Sequence, residues 1–258
     1  MYISIRHETL RELIAERGHA TMEEMGSVRA LKAFGQHMRE RYPNYATNAT
    51  HYTCGVESLS ECFPGRGYEW MRKDEQNSHN YLYTVVGNMY EVEVSRVVDC
   101  VQLQSNRNAV PYGHLGSHQE NMAQYLSFPA ARIWRMLRWV ELWYLLQSGT
   151  MVHDATMEPC PESRTIHQVF SCRQGKHRSV GWSIMEAAVL KACGFVVATI
   201  HICAWKQGKS TCMKRAKKRG EDCEYCRGQI AAAARDRLGE AAVDEFFMVV
   251  LFLDASNA

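Results

Sequence analysis

The sequence predicts an α/β fold in which crossover helices connect the strands of a parallel or mixed sheet. Residues 165–171 and 195–202 are rich in β-branched and aromatic side chains, which is typical of strands. Between them, residues 179–193 carry apolar side chains at helical spacing, and Gly194 is a natural helix stop. This order of strand, helix and strand indicates a right-handed crossover between parallel strands. The loop after the first strand then lies at the carboxyl edge of the sheet, where open α/β sheets bind ligands.

Three further segments have a recognisable pattern. Residues 81–86 and 92–103 have the composition of two strands, separated by a Gly-Asn turn. Residues 129–149 predict a long helix, because apolar side chains recur there every three or four residues. The other side of this helix is predicted to be a solvated face, and it carries Arg132, Arg135 and Arg138.

These patterns divide the chain into three regions. Residues 8–40 contain two helical patterns, whereas residues 44–78 show no clear period. We therefore expect a small helical and irregular region over residues 1–78 and the α/β domain over residues 79–205. A small Cys-rich element and a C-terminal helix are expected to follow over residues 206–258.

The bulk composition limits the kinds of site that the chain can carry. With 258 residues, 46% of them hydrophobic, the chain is long enough to bury one good core. Lysine and arginine exceed aspartate and glutamate by only two, so an electropositive site must be local. The longest apolar run, residues 246–253, is far shorter than the roughly 20 residues that cross a bilayer. Ten scattered cysteines predict reduced thiols and an intracellular protein, cytoplasmic or nuclear, with no membrane partner.

The loop between the predicted strand and helix has the composition of an anion-binding site. Its residues are Cys172, Arg173, Gln174, Gly175, Lys176, His177, Arg178 and Ser179. The unpaired N–H groups of the following helix point into the loop, where they and the helix dipole favour a negative charge. Gly175 lets the backbone curl around a ligand, and Arg178 offers forked donors to phosphate oxygens. Lys176 or His177 adds charge, and Ser179 can bond an oxygen or cap the helix.

The same loop also fits the Cys-x5-Arg-Ser/Thr signature of cysteine-dependent phosphatases. The resemblance implies that Cys172 is a nucleophile and that Arg178 clamps the phosphate. Ser171 stands where those enzymes generally have histidine, and no motif marks Asp154, the nearest upstream aspartate, as the general acid. A third alternative is a protein- or RNA-interaction module in which the loop is only an electrostatic patch.

A resemblance to the carboxyl-terminal domain of the RapZ family of RNase adaptor proteins covers more of the chain. Residues 172–180, Cys-x-x-Gly-x-His-Arg-Ser-Val, resemble that domain's Cys-x-Gly-Gly-x-His-Arg-Ser-Val loop. Residues 97–100 resemble its strand with an aspartate, here Asp99, and residues 197–201 resemble its last strand, which ends here in His201. The resemblance implies a domain that binds a phosphorylated metabolite or an RNA phosphate, with Asp99 and His201 near the loop.

Two departures from the RapZ pattern affect the ligand. Gln174 replaces one family glycine, and Val101 replaces the arginine that follows the aspartate strand. The residues themselves leave two roles open for Asp99, which could hold Arg178 or a ligand hydroxyl, or could simply end its strand.

A cysteine cluster after the α/β domain predicts a structural zinc site. Cys223 and Cys226 have the two-residue gap with which two thiolates grip one zinc ion, and Cys212 lies upstream. Cys203 or His201 could complete the tetrahedron. A redox pair and unliganded thiols are the alternatives. The order of the loop, a tryptophan and these cysteines also resembles uncharacterised protist proteins.

Overall fold

The computed structural model describes residues 48–62, 75–103, 116–154, 165–203, 237–246 and 248–249. The predicted helices at 8–40 and the segment with the zinc candidates Cys212, Cys223 and Cys226 lie outside these residues. The described residues contain a sheet of four parallel strands in the spatial order β2-β3-β1-β4. The strands are β1 (Asn48–Gly55), β2 (Arg96–Asp99), β3 (Ile166–Cys172) and β4 (Val196–His201). The α/β fold is therefore confirmed, with every described strand pair parallel.

The helices form one layer on each face of this sheet. They are α1 (Val56–Cys62), α2 (Glu75–Tyr90), α3 (Gln119–Ser127), α4 (Arg132–Asp154), α5 (Arg178–Ala192) and α6 (residues 237–246). Short 3-10 turns at Cys100–Gln102 and Pro129–Ala131 follow β2 and precede α4. Neighbouring β3 residues point to opposite faces, so Phe170 packs into a core with α3, α4, α5 and α6, whereas Val169 packs with α1 and α2.

The connections place a crevice between β1 and β3. The chain leaves β1 toward the layer of α1 and α2, whereas it leaves β3 toward α5 on the opposite face. Because β1 and β3 are neighbours in the sheet, their carboxyl ends form a topological switch point. Open α/β sheets bind their ligands at such points.

The structure corrects the predicted secondary structure in three places. Of the strand predicted over residues 92–103, only Arg96–Asp99 is a strand, and Cys100–Gln102 form a 3-10 turn. Residues 81–86, predicted as a strand, lie inside α2, because Leu82 and Val86 are one turn apart and both are fully buried on one helix face. Strand β1 lies in the stretch that showed no period, so the α/β unit begins N-terminal of the predicted boundary at residue 79. The strands β3 and β4 and the helices α4 and α5 are confirmed within a few residues.

Two of the three arginines of α4 are buried, so the predicted solvated face is wrong for them. Arg135 donates through Nε to Glu245 at 3.0 Å and through Nη1 to the carbonyl oxygens of Tyr125 and Phe128. It thus caps the C-terminal end of α3 while it pairs with α6. Arg138 is 9% exposed and lies over the ring of Trp134. The burial of Arg135 depends on partners from other segments, which a periodic pattern cannot reveal, whereas Arg138 pairs within α4 with Trp134 and Glu141.

A row of polar side chains crosses the sheet beneath α5. Arg96, Gln168 and His51 are partners in the registers of β2, β3 and β1, and all three are buried. Arg96 Nη2 donates to both carboxylate oxygens of Glu186 on α5, at 2.9 and 2.8 Å. His51 Nδ1 lies 3.1 Å from the carbonyl oxygen of Ser183, also on α5. Directional bonds thus join α5 to β2 and β1 at positions where apolar packing would be usual.

The hydrogen bonds of His51 define its tautomer. A carbonyl oxygen can only accept, so Nδ1 carries the proton that it donates to Ser183. Nε2 then accepts from the amide nitrogen of Gln168 at 3.2 Å. Burial lowers the pKa of His51 from 6.5 to about 3, so the ring stays neutral in the folded protein.

We expect this neutral histidine to make the fold sensitive to acid. The unfolded chain takes up a proton on His51 near pH 6.5, whereas the folded chain does so only near pH 3. The stabilisation is therefore fully present above pH 6.5 and falls as the pH decreases, by at most about 1.4 kcal/mol for each pH unit. Urea unfolding of wild type and of His51→Gln at several pH values measures this slope. We expect the slope to decrease in His51→Gln and to decrease less in His167→Gln, because burial lowers the pKa of this partly exposed histidine as well. Equal slopes in wild type and His51→Gln would contradict the prediction.

Candidate anion-binding site

The loop that joins β3 to α5, residues 173–177, is closed around the sulfur of Cys172. The backbone N–H of Gly175 donates to Cys172 Sγ at 3.2 Å, and Ser179 Oγ lies 3.2 Å from the same sulfur. Gly175 has a φ of +69°, a left-handed conformation that turns the backbone back toward the strand. Cys172 is 4% exposed, so its thiol forms the floor of the loop.

The loop packs so closely on the end of β1 that two positions require glycine. A Cβ atom on Gly55 would lie 2.2 Å from the carbonyl carbon of Gln174. A Cβ atom on Gly175 would lie 2.5 Å from the backbone nitrogen of Gly55. The loop backbone therefore fills the bottom of the crevice between β1 and β3. Gly55 was missed at the sequence level because its strand lies in the stretch without a clear period.

One side of the loop is fixed to the first turn of α1 by its polar groups. The backbone N–H of Glu57 donates to the carbonyl oxygen of Arg173 at 3.0 Å, and Ser58 Oγ donates to that of Gln174 at 3.3 Å. The Glu57 carboxylate accepts from Arg173 Nε at 3.1 Å and from Gln174 Nε2 at 3.4 Å. Two of the predicted ligand-binding residues therefore bond to α1, and the charge of Arg173 is balanced there.

The other side of the loop is held by the segment that precedes α3. The backbone N–H of Gly116 donates to the carbonyl oxygen of Lys176 at 3.1 Å. A Cβ atom on Gly116 would lie 2.3 Å from the carbonyl oxygen of His177, so this approach also requires glycine. The side chains of Lys176 and His177 are partly exposed at the rim.

Arg178 reaches across to the end of β2. Its Nη1 donates to the carbonyl oxygens of Val101 and Leu103, in and just after the 3-10 turn. Asp99 Oδ1 accepts from the backbone N–H of Val101 at 2.8 Å and caps that turn. Asp99 thus ends its strand and also fixes the carbonyl oxygen to which Arg178 bonds. Of the two roles that the sequence left open, Asp99 ends its strand, and it acts on Arg178 through the turn that it caps.

The start of α5 presents donors beside Arg178. The first N–H groups of a helix have no partner within it, and His177 at the N-cap makes no side-chain cap bond. Together with the helix dipole, these groups favour a negative charge at this end. The loop, the helix start and Arg178 therefore converge on one place at the carboxyl edge of the sheet.

Of the other two predicted site residues, His201 lies farther away, whereas Cys203 packs against the loop at Gly175. His201 is on β4, two strands from Cys172, and its Nδ1 lies 2.6 Å from Thr53 Oγ1. Burial lowers the pKa of His201. The backbone N–H of Gly55 donates to Cys203 Sγ at 3.5 Å, and Cys203 is 1% exposed. Cys203 thus contributes to the packing of the loop, whereas His201 lies two strands away from it.

Each strand of the sheet ends in or near a buried cysteine that forms no disulfide. These residues are Cys54, Cys100, Cys172 and Cys203. Burial raises the pKa of the Cys54 thiol well above its ordinary value, which keeps that thiol neutral. Among the described residues, no group of three or more metal-ligating side chains is placed to hold a metal ion.

Comparisons with protein-family models, curated proteins and solved structures found no match for this chain. The resemblance of the loop to the RapZ domain therefore stays a prediction. Within the described part of the chain, no helix is long and apolar enough to cross a membrane. Any function must consequently be argued from the geometry of the site.

We expect Gly175→Ala to disrupt the loop. An alanine at a positive φ is strained by about 1–2 kcal/mol, and its Cβ would also collide with the Gly55 backbone, 2.5 Å away. Gly87→Ala in α2 is the matched control, because the nearest atom to its Cβ would be 3.1 Å away. Urea unfolding should show a loss of at least about 2 kcal/mol for Gly175→Ala and a change within about 1 kcal/mol for Gly87→Ala. Similar losses in both variants would count against a tightly packed loop.

Proposed function

We propose that this chain binds the phosphate group of a phosphorylated metabolite or of RNA through the loop from Cys172 to Ser179. The observation that carries the proposal is the position of Arg178. Its guanidinium is fixed by two backbone carbonyl oxygens beside the uncapped start of α5. A forked cation next to helix N–H groups is the donor set that recognises phosphate oxygens.

The charge distribution around the loop supports this assignment. Arg173 is balanced by Glu57 on the α1 side, whereas Arg178 occupies the first position of α5. The charge of Arg178 thus lies at the end of the helix where the dipole already favours an anion. The bonds of Arg178 to the carbonyl oxygens use Nη1, which leaves Nε and Nη2 as further donors for phosphate oxygens.

A rigid loop also lowers the cost of binding. The loop is fixed to α1 on one side and to Gly116 on the other, so few groups must be ordered when a ligand arrives. The metabolite and the RNA differ in how their binding responds to salt. Binding to RNA that engages several phosphates weakens steeply as salt increases, whereas one phosphate group in a preformed loop gives a shallow dependence.

We expect Arg178→Ala to abolish the stabilisation of the protein by phosphate. A ligand at about 100 times its Kd stabilises a protein by about 2.7 kcal/mol, which thermal unfolding detects easily. The shift is measured in potassium phosphate against potassium chloride of equal ionic strength, and each variant is compared with its own value in chloride. Arg132→Ala, which removes an exposed arginine of α4, is the matched control.

Wild type and Arg132→Ala should show the phosphate-specific shift, and Arg178→Ala should show none. A phosphate-specific shift in Arg178→Ala equal to that of wild type would contradict the proposal. Competition then separates the two sources of phosphate. If RNA binds with a steep salt dependence and small phosphates do not displace it, the loop is an electrostatic patch for RNA rather than a phosphate site.

A cysteine-dependent phosphatase is the second candidate function, favoured by the surroundings of the Cys172 sulfur. The N–H of Gly175 and the hydroxyl of Ser179 both lie 3.2 Å from this sulfur, where they could stabilise a thiolate. In that reaction the thiolate attacks phosphorus, the ester oxygen leaves with a proton, and water then hydrolyses the cysteinyl phosphate. The leaving oxygen takes its proton from a general acid. Among the described carboxylates, Glu57 bonds to the loop, where it accepts from Arg173 and Gln174.

Hydrolysis of an aryl phosphate distinguishes the two functions. The measurement uses wild type, Cys172→Ser and the control Cys193→Ser, which alters a buried thiol at the far end of α5. For a binding module we expect no hydrolysis that depends on Cys172, while phosphate still stabilises both cysteine variants. Hydrolysis that disappears in Cys172→Ser and persists in Cys193→Ser would instead make the protein an enzyme.

Two sequence predictions stand beside this proposal. We propose a structural zinc ion held by Cys212, Cys223 and Cys226, with Cys203 or His201 as the fourth ligand, on the strength of the cysteine spacing. An intracellular location, cytoplasmic or nuclear, is proposed from the scattered cysteines and agrees with a phosphorylated ligand.

A further inference from the structure

The ends of β2 and β3 bring two cysteines together on one face of the sheet. Asp99 pairs with Ser171 in the parallel register of these strands, so Cys100 and Cys172, which follow them, lie side by side. Both cysteines belong to the core on the α5 face. Neighbouring strands lie about 4.8 Å apart, and the Cα atoms of a disulfide are usually about 4.4–6.8 Å apart. The two cysteines therefore have a spacing that a disulfide can bridge.

The two thiols have different surroundings. The backbone N–H of Gly175 and the hydroxyl of Ser179 both lie 3.2 Å from the sulfur of Cys172, where they stabilise negative charge. Cys172 also keeps a small exposed surface of 4%, whereas Cys100 has none. Burial, and after it the charge of the nearby Cys172, raises the pKa of Cys100 well above its ordinary value. An oxidant therefore meets Cys172 first, with Cys100 as a neutral thiol beside it.

We propose that hydrogen peroxide converts Cys172 and Cys100 into a reversible disulfide, and that this disulfide switches off the anion-binding loop. The second half of the proposal rests on the proposed phosphate-binding function. The Cys172 thiolate attacks one peroxide oxygen, the O–O bond breaks, and the hydroxide that leaves takes up a proton to become water. Cys172 is then a sulfenic acid.

The second step joins the two sulfurs. The sulfur of Cys100 attacks the sulfenic sulfur of Cys172, the S–O bond breaks, and the leaving hydroxide takes the Cys100 proton as a second water. Because the sulfenic acid is neutral, the charge that opposed the ionisation of Cys100 has disappeared by then. Two thiols are thus oxidised to one disulfide while one peroxide is reduced to two waters, and thiol exchange with a reductant reverses the change.

The disulfide would act on both halves of the anion site. The Cys172 sulfur accepts from the N–H of Gly175 and so closes the loop, and a sulfur drawn toward Cys100 leaves that position. Cys100 is the first residue of the 3-10 turn, and carbonyl oxygens in and just after this turn hold Arg178. Oxidation therefore alters the spacing between the loop and Arg178, which a bound phosphate requires both to match.

Peptide mapping of the full chain tests the disulfide. The reduced protein, freed of reductant, is treated with an equimolar amount of hydrogen peroxide, alkylated, digested and analysed by mass spectrometry. Most of Cys172 should appear in a peptide linked to Cys100. Cys100→Ser should give no such link, and its hydroxyl can still donate to the carbonyl oxygen of Val98, as Cys100 Sγ does. Cys54→Ser is the matched control and should keep the link, because Cys54 packs on the opposite face of the sheet, with α1 and α2.

Thermal unfolding in phosphate against chloride tests the switch. Reduced wild type should show the phosphate-specific shift, the peroxide-treated protein should lose it, and dithiothreitol should restore it. A Cys172 that stays unlinked, or that links to Cys54, would overturn the disulfide. A disulfide that forms while the shift persists would overturn the switch. A shift that is missing already in the reduced protein would overturn the proposed function and the switch with it, while the peptide map still decides on the disulfide.

Discussion

The position of α5 depends on a buried polar contact with the sheet rather than on apolar packing alone. Arg96 and Glu186 form an ion pair that is almost completely excluded from water, and His51 bonds to Ser183 one turn closer to the loop. Burial raises the pKa of Glu186 while Arg96 lowers it, so the charged pair exists because both partners are present. Such pairs add little net stability, but their bonds have direction. They fix the register of α5 on the strands, and they therefore also fix the position at which the loop enters α5.

The geometry of the site follows from this constraint. Because α5 cannot slide, Ser179 stays beside the sulfur of Cys172, and Arg178 stays level with the end of β2. The loop itself is held by backbone groups on both sides, which leaves its side chains to define the rim. Asp99 contributes through the turn that it caps. The site is thus built mainly from backbone atoms, with a few side chains setting its charge.

The sequence predicted the segment from β3 to β4, because strand composition, helical spacing and Gly194 agree there with the final fold. It failed at residues 81–86, where tyrosine and valine favour a strand but the two fully buried residues lie one turn apart. The loop was found from its composition alone. The partners of the loop, Glu57 and Gly116, could not be found in that way, since they come from segments distant in sequence and each contributes a backbone N–H that no side-chain pattern reveals. The pairing of Arg135 with α6 was hidden for the same reason.

The place of α6 in the core has a consequence for folding during synthesis. Phe246 packs on Trp139, and Glu245 accepts from both Trp139 and Arg135. Until these residues leave the ribosome, α4 carries a buried cation without its carboxylate and an indole without its acceptor. The sheet can assemble from the strands that emerge earlier, but its α5 face is completed only by a helix that is made after all four described strands. Until that helix emerges, a growing chain would expose this apolar face, and a chaperone or another copy can bind it.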